Sequence, residues 1–291
     1  MGVGIMRQVR QQPKTTVDRT TARRLEMAEE FACVYVTRAH RRLRAGSRAE
    51  VLAIAGGSAC FIERGSPISQ CIGCGVSSPV SNAEIEAIEE FYWSRGTQSQ
   101  MVVSCAFAGE LEEALRERGY EQIEENLGFV RPLPLGTQCA APAGYILREL
   151  HEDERTTWAK IQAEIFFADS EEGAAFKPTA EVIAQAEGYR CYVAVAEATA
   201  EIAAGGGICI VRDGKIACLA GAATYPSHRN HGLQNALLQY RLADASAAGC
   251  TLAFVSTLPG TVSHRNVERQ GFVEAYERVV MAKRPSDVHR R

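Results

Sequence analysis

No apolar run in the chain is long enough to span a bilayer, which excludes a helical membrane anchor. An excess of one charge is missing too: the formal net charge is −3 over 291 residues. No broad basic field therefore draws the chain to nucleic acid or to an anionic membrane surface. The opening stretch, MGVGIMRQVRQQPKTT, lacks the apolar core of a secretion signal, and Met6 stands where myristoylation needs Ser or Thr. Residues 1–18 read as a flexible arm, and the compartment expected is the cytoplasm. Ten cysteines are present, but a second pair to match Cys71-Ile-Gly-Cys74 is not, so no metal site is expected. The other cysteines stand mostly in apolar, strand-like runs, where a reduced thiol is a small core residue. The G-x-G-x-x-G order of a dinucleotide site, with its downstream acidic residue, is also absent.

Apolar material is ample. Hydrophobic residues make up 46% of the chain, and the length suggests about two domains. The most informative stretch is 220–272. Small apolar residues at 216–224 read as a strand that runs into a loop at 225–231. A helix follows, with Leu233, Ala236, Leu237, Tyr240, Ala243 and Ala247 on one face, and Gly249 stops it. Residues 251–257 are an almost unbroken apolar run of strand length. The loop thus ends on a helix N-terminus, where N–H groups without helical partners and the positive end of the dipole suit an anion. Arg229 adds charge, and Gly232 permits close backbone approach.

That loop, R-N-H-G-L-Q at 229–234, resembles the acyl-CoA loop of the GCN5-related N-acetyltransferases, Q/R-x-x-G-x-G/A. Arg229 matches the first position and Gly232 the central glycine. Gln234 replaces the final small residue. Pro226, three residues before Arg229, and the closing Gly271-Phe272 support the match. The resemblance implies an α/β (α+β) fold, a mixed and mostly antiparallel sheet flanked by helices. It implies acetyl-CoA as co-substrate and, as acceptor, an amino group of a small molecule or peptide. Pairing as a homodimer is a habit of such proteins.

The first half repeats the order of the second. A helix reads over 20–43, with strands at 51–55, 59–63 and 70–76. Ser81 opens a capping box with Glu84. A buried-type strand reads over 101–107, a helix over 110–118, and a last strand over 127–130. Gly119-Tyr120 precedes Gly271-Phe272 by 152 residues, and Met101 precedes Leu252 by 151. Two tandem copies are expected, over 19–135 and 144–284, joined at the proline-marked stretch from Arg131. The first copy's counterpart of the anion loop, GVSSPVS at 75–81, has no Arg and no glycine at the helix entry. It is read as degenerate and as binding acyl-CoA weakly or not at all. In the second copy, helices are expected over 155–168 and 179–186, with an acidic mobile loop at 169–177 between them. Strands are expected at 145–150, 191–196 and 203–211, and Gly205-Gly206-Gly207 marks a bulge or a twist.

The resemblance assigns the coenzyme's pyrophosphate to Arg229 and to the backbone of Asn230, His231, Gly232, Leu233 and Gln234. The thioester oxygen takes a backbone N–H within Ala222, Ala223 and Thr224, a bond that strengthens as the oxygen becomes an oxyanion. Asn266 is expected to contact pantetheine. The tyrosine that protonates the leaving thiolate in many relatives is Val267 here. Tyr276 is the substitute acid, with Asn266 beside it as the other catalytic candidate. Ser263 reads as an N-cap. The acceptor's proton has Glu164, Glu197, Glu201, His264 or a water chain as candidate takers. Because two usual catalytic residue types are missing, the alternative is a non-catalytic acyl-CoA-binding or scaffold protein.

Overall fold

The computed structural model describes residues 15–107, 109–133, 140–167 and 171–285. The first half runs α1 (Arg19–Leu43), β1 (Glu50–Ile54), β2 (Gly57–Phe61), β3 (Cys71–Ile72), α2 (Asn82–Trp93), β4 (Ser99–Ser104), α3 (Gly109–Glu117) and β5 (Glu121–Pro132). The second runs β6 (Tyr145–Glu149), α4 (Arg155–Phe167), α5 (Glu171–Ile183), β7 (Tyr189–Ala196), β8 (Ile202–Val211) and β9 (Ile216–Thr224), then α6 (Leu233–Ala247), β10 (Leu252–Thr257), α7 (Val262–Arg269) and β11 (Val273–Lys283). Among the described residues the strands form one sheet, ordered β1-β2-β3-β4-β11-β5-β10-β9-β8-β7-β6.

The two halves exchange their last strands. β11 closes the second half in sequence but pairs antiparallel with β4 of the first, from Arg278↔Ser104 to Lys283↔Ser99. β5 closes the first half but pairs antiparallel with β10 of the second, from Leu252↔Pro132 to Thr257↔Leu127. β5 and β11 lie side by side at the centre and join the copies into one sheet. β5 is far longer than the apolar segment 127–130 suggests. Its first half is held by backbone pairing to β11, and exposed glutamates such as Glu124 and Glu125 give it no apolar signal.

The repeat is visible in backbone detail. α3 ends with Gly119 N donating to Arg116 O and Tyr120 N to Leu115 O. α7 is followed by the same pair of bonds, Gly271 N to Glu268 O and Phe272 N to Val267 O. Both glycines have positive φ, 84° and 76°, as a left-handed helix C-cap requires. In each half the strand after the first long helix-to-helix loop is parallel: β3 to β4 and β9 to β10. The chain has the tandem form of the fold that the loop resemblance implied.

Some local expectations need correction. The loop expected over 169–177 is helical from Glu171 on, within α5, which also contains Pro178. An acidic, glycine-bearing stretch has weak helix propensity, and packing of α5 against α4 overrides it. Residues 168–170 lie outside the described residues. Of the arm expected over 1–18, residues 1–14 also lie outside them, but 15–18 are tied down. Thr16 N bonds Ala275 O at 2.9 Å, and Asp18 caps α1 through Thr21 N. No helix among the described residues is long and apolar enough to cross a membrane.

α1 is locked to β11 by a buried charge cluster. Arg278 is 3% exposed and Glu26 1%. Arg278 Nε lies 3.1 Å from Glu26 Oε1, and Nη1 binds Glu29. Burial pulls the guanidinium's pKa down, but Glu26 and Glu29 outweigh burial and raise it. Arg278→Met strands Glu26 without its cation and should cost about 3–5 kcal/mol in urea unfolding. A loss below about 1 kcal/mol would show that the cluster is not a buried ion pair in solution.

Candidate functional site

β9 and β10 start as a parallel pair but share only three registered positions, Leu252↔Ile216 to Phe254↔Cys218. Beyond them each strand keeps its outer neighbour. β9 stays paired to β8 as far as Thr224, and β10 to β5 as far as Thr257. The facing edges therefore part in mid-sheet. A cavity of about 190 Å³ opens there, lined by Leu219, Ala220, Gly221 and Ala222 of β9 and by Val255 and Ser256 of β10. Phe166 of α4, Gln234, Leu238 and Arg241 of α6, and Ser263, Asn266 and Val267 of α7 complete it.

A β-bulge shapes the β9 wall. Gly206 faces Ala222 and Gly207 faces Ala220, so Gly221 is the extra residue, with φ 47°. A Cβ there would stand 2.8 Å from Gln162 Oε1. The bulge anticipated at 205–207 is thus present, with its extra residue on the partner strand. The glycines of β8 make room. A Cβ on Gly205 would meet Trp158 Nε1 at 2.7 Å, and one on Gly206 would meet Arg241 Cζ at 3.0 Å. Arg241 itself is buried, and burial pulls its pKa down to about 10.

The loop after β9 turns through a 3-10 turn at Pro226–His228. Asn230 then takes φ 66°, which Asn tolerates better than most residues, and Gly232 takes φ 77°. Gly232 is the N-cap of α6 and no side chain caps the helix, so the N–H groups of its first turn are open. Arg229, Asn230, His231 and Gly232 are all exposed around that end, while Leu233 is buried and anchors it. His231 Nδ1 lies 2.9 Å from Arg229 O. Gln234 turns back to β9: its Oε1 accepts from Thr224 Oγ1 at 3.3 Å and its Nε2 donates to Ala222 O at 3.4 Å.

The predicted residues separate into three groups. Arg229, Asn230, His231, Gly232, Leu233 and Gln234 form the loop and helix start; Ala222, Gln234 and Asn266 reach the cavity. Ala223 shows its side chain to the α4 side, packed in a core cluster with Trp158, and Thr224 bonds Gln234. Tyr276 does not reach the site, which corrects its assignment as the acid. Strand exchange places β5 between β10 and β11, so Tyr276 is separated from the cleft by a whole strand. Its ring is fully buried, stacked on Phe254, and burial together with Glu26 holds its hydroxyl well above the usual range. Ser263 is not an N-cap either: Thr261 caps α7 through His264 N, and Ser263 lines the cavity. His264 is engaged through Nδ1 by Gly260 N.

On the α4 side, Tyr225 donates to Glu164 Oε2 at 3.2 Å. Burial, then Glu164, pushes the Tyr225 hydroxyl up to about 12. His228 Nδ1 lies 3.0 Å from the Tyr145 hydroxyl, and its Nε2 3.9 Å from Glu201 Oε2. The cysteines hold no comparable chemistry. Cys71 and Cys74 sulfurs are 3.0 Å apart in a buried core, and the neighbouring thiol and burial both hold Cys71 well above its usual range. Among the described residues no group of three metal-ligating side chains occurs.

Among the described residues, the space beside β3 in the first half is filled. Leu111 comes within 3.1 Å of a Cβ placed on Gly75, Val76 is 3% exposed, and both fill the space beside β3. Glu84 Oε2 accepts from Ser81 N at 2.8 Å, so a carboxylate of the chain already occupies the N-terminus of α2.

Residues 147–272 match the model of the acetyltransferase (GNAT) family. The whole chain shares its fold with a GCN5-related N-acetyltransferase from Kribbella flavida, at 16% identity and a TM-score of 0.67, covering 91% of this chain and 96% of that one. It is also similar to a tandem GNAT protein from the clavulanic acid biosynthesis pathway, at 16% identity and a TM-score of 0.59, covering 94% and 98%. No curated protein matches the sequence. Gln162, Trp158, Arg241 and the bulge at Gly221 were not singled out from the sequence; the one usable signal was the glycine run, which marks where large side chains approach the strand.

Gly221→Ala combines a left-handed φ with a clash against Gln162, and should cost about 1–3 kcal/mol in urea unfolding. Stability unchanged within about 0.5 kcal/mol would show that the bulge relaxes freely.

Proposed function

We propose that this chain is an N-acetyltransferase that moves the acetyl group of acetyl-CoA to an amino group of a small molecule or peptide. The observation that carries this reading is an uncapped helix N-terminus opening onto the mouth of a mid-sheet cleft. The pyrophosphate sits on the first-turn N–H groups of α6, with Arg229 as counter-charge. The β10-facing edge of β9 has no strand partner beyond Cys218, so its N–H and C=O groups are free to pair with the amides of pantetheine. Gln234 holds Ala222 O only by a long bond and can yield it to the cofactor. Asn266 faces the same arm.

At the bulge, a β9 N–H at Ala222 stabilises the thioester oxygen as negative charge develops. The amine nitrogen attacks the carbonyl carbon, a C–N bond forms and the C–S bond breaks. The sulfur leaves with the electron pair and takes up, through water, the second proton that the nitrogen gives up as the amide forms. Glu164, hydrogen-bonded to Tyr225 on the acceptor side, receives the proton that the ammonium must lose. The first copy, residues 19–135, is a degenerate partner that no longer takes the cofactor and braces β10 through β5. A non-catalytic acyl-CoA-binding protein is the second reading, favoured by one observation: the buried Tyr276 leaves no tyrosine beside the thiol.

Calorimetry with coenzyme A tests the site. Arg229→Ala with Gly232→Val should weaken binding by about tenfold or more, the scale of one charge-assisted hydrogen bond. Unchanged affinity would remove the loop from the site. Thiol release with acetyl-CoA and an amine panel separates the two readings, since only the enzyme turns over.

A further inference from the structure

The inner end of the cleft is more polar than an acetyl methyl requires. Arg241 is 3% exposed and lines the cavity. Its Nε donates to Leu237 O at 3.2 Å, and its Nη1 to Gly207 O at 3.0 Å and Ala220 O at 3.4 Å. Those carbonyls seat the guanidinium at the bulge. They do not neutralise it: no carboxylate among the described residues pairs with Arg241, and its Nη2 donates to none of them. Every other arginine this deeply buried would be expected to have an anion, as Arg278 has in Glu26 and Glu29.

On the other face of the sheet, under α4, the bulge has unpaired neighbours as well. Gln162 is 2% exposed, and neither its Oε1 nor its Nε2 has a hydrogen-bond partner. Trp158 Nε1, one helical turn earlier, has none either. Buried charges are nearly always paired, so a buried cation that lines a cavity without an anion points to a ligand that completes it.

Position decides which part of a ligand this is. Arg241 lies eight residues beyond Leu233, about 12 Å of helix rise from the open N-terminus. It is at the far end of the cleft from the anion loop, beside Ala220, one residue past the bulge on the side where β9 and β10 converge. On the reading above, the thioester stands at the bulge and the tail of the acyl group points down to Arg241.

We propose that the preferred donor is a coenzyme A thioester of a dicarboxylic acid, with the free carboxylate of its acyl group bound by Arg241. This rests on the acyl-transfer reading, and the chemistry is the same: the amide C–N bond forms, the C–S bond breaks, and the thiolate takes a proton as the amine releases one. The carboxylate takes no part in bond making. It supplies the anion that the fold withholds from Arg241 and favours such donors over those whose acyl end is apolar, acetyl among them.

The test is calorimetry on the full chain with four donors: acetyl-, butyryl-, malonyl- and succinyl-CoA, and with coenzyme A itself. Butyryl and succinyl groups are close in length, so their comparison isolates the carboxylate. A malonyl or succinyl donor should bind about tenfold more tightly than acetyl or butyryl, the scale of one charged hydrogen-bonded contact. Arg241→Met should bring that ratio to about one, and Arg241→Lys should leave part of it. Equal or tighter binding of butyryl-CoA by the unaltered protein overturns the proposal, whether or not the variants fold. A parallel loss for all four donors in Arg241→Met also overturns it, because the arginine would then be a structural plug. Absence of heat with coenzyme A would instead bring down the acyl-transfer reading beneath it.

Discussion

Two strand edges that part in the middle of a sheet are the constraint behind the whole site. Backbone N–H and C=O groups in such a place need partners, and water or a ligand must supply them if no strand does. β9 and β10 cannot close the gap, because each is held on its outer side, β9 by β8 to Thr224 and β10 by β5 to Thr257. The extra residue Gly221 then twists β9 away from its neighbour. The cleft is thus built by pairing elsewhere in the sheet. An extended ligand carrying amides is the chemical complement of what the gap exposes.

The same frame sets the two copies of the repeated fold apart. Both copies present a helix N-terminus after a strand that runs parallel to the strand beyond the helix. In α2 that terminus is closed by Ser81 and the Glu84 carboxylate, and the adjoining space is filled by Leu111 and Val76. In α6 the cap is Gly232, which offers no side chain, and the adjoining space is open. The difference is a few residues: a glycine where the other half has a serine, and an arginine where it has none. An anion that fits one terminus would meet a like charge at the other.

Local chemistry was legible in the sequence, and pairing partners were not. The Ser81–Glu84 box, the Gly119 and Gly271 helix ends, β9 and the loop from Arg229 to Gln234 follow from short-range rules, and each is found where those rules put it. The exchange of β5 and β11 leaves no local trace, because either partner would bury the same apolar face. That is why Tyr276 looked available: its distance from the cleft depends on which strand stands between. Arg241 and Gln162 were hidden for a related reason. In sequence they are a charged and a polar residue on ordinary helices, and only tertiary packing turns their surroundings dry.

The strand exchange also gives the first copy a direct hold on the cleft. β5 carries the outer edge of β10, so a wall of the cleft is held by the first half. Arg278 strengthens that hold: its Nη1 donates to Ser256 Oγ at 2.9 Å, and Ser256 lines the cavity. The same guanidinium is paired with Glu26 and Glu29 of α1. One arginine on an exchanged strand therefore ties the first helix of the chain to the β10 wall. The first half thus has a mechanical role in the cleft, since β5 and α1 hold the β10 edge in the position from which it stands apart from β9.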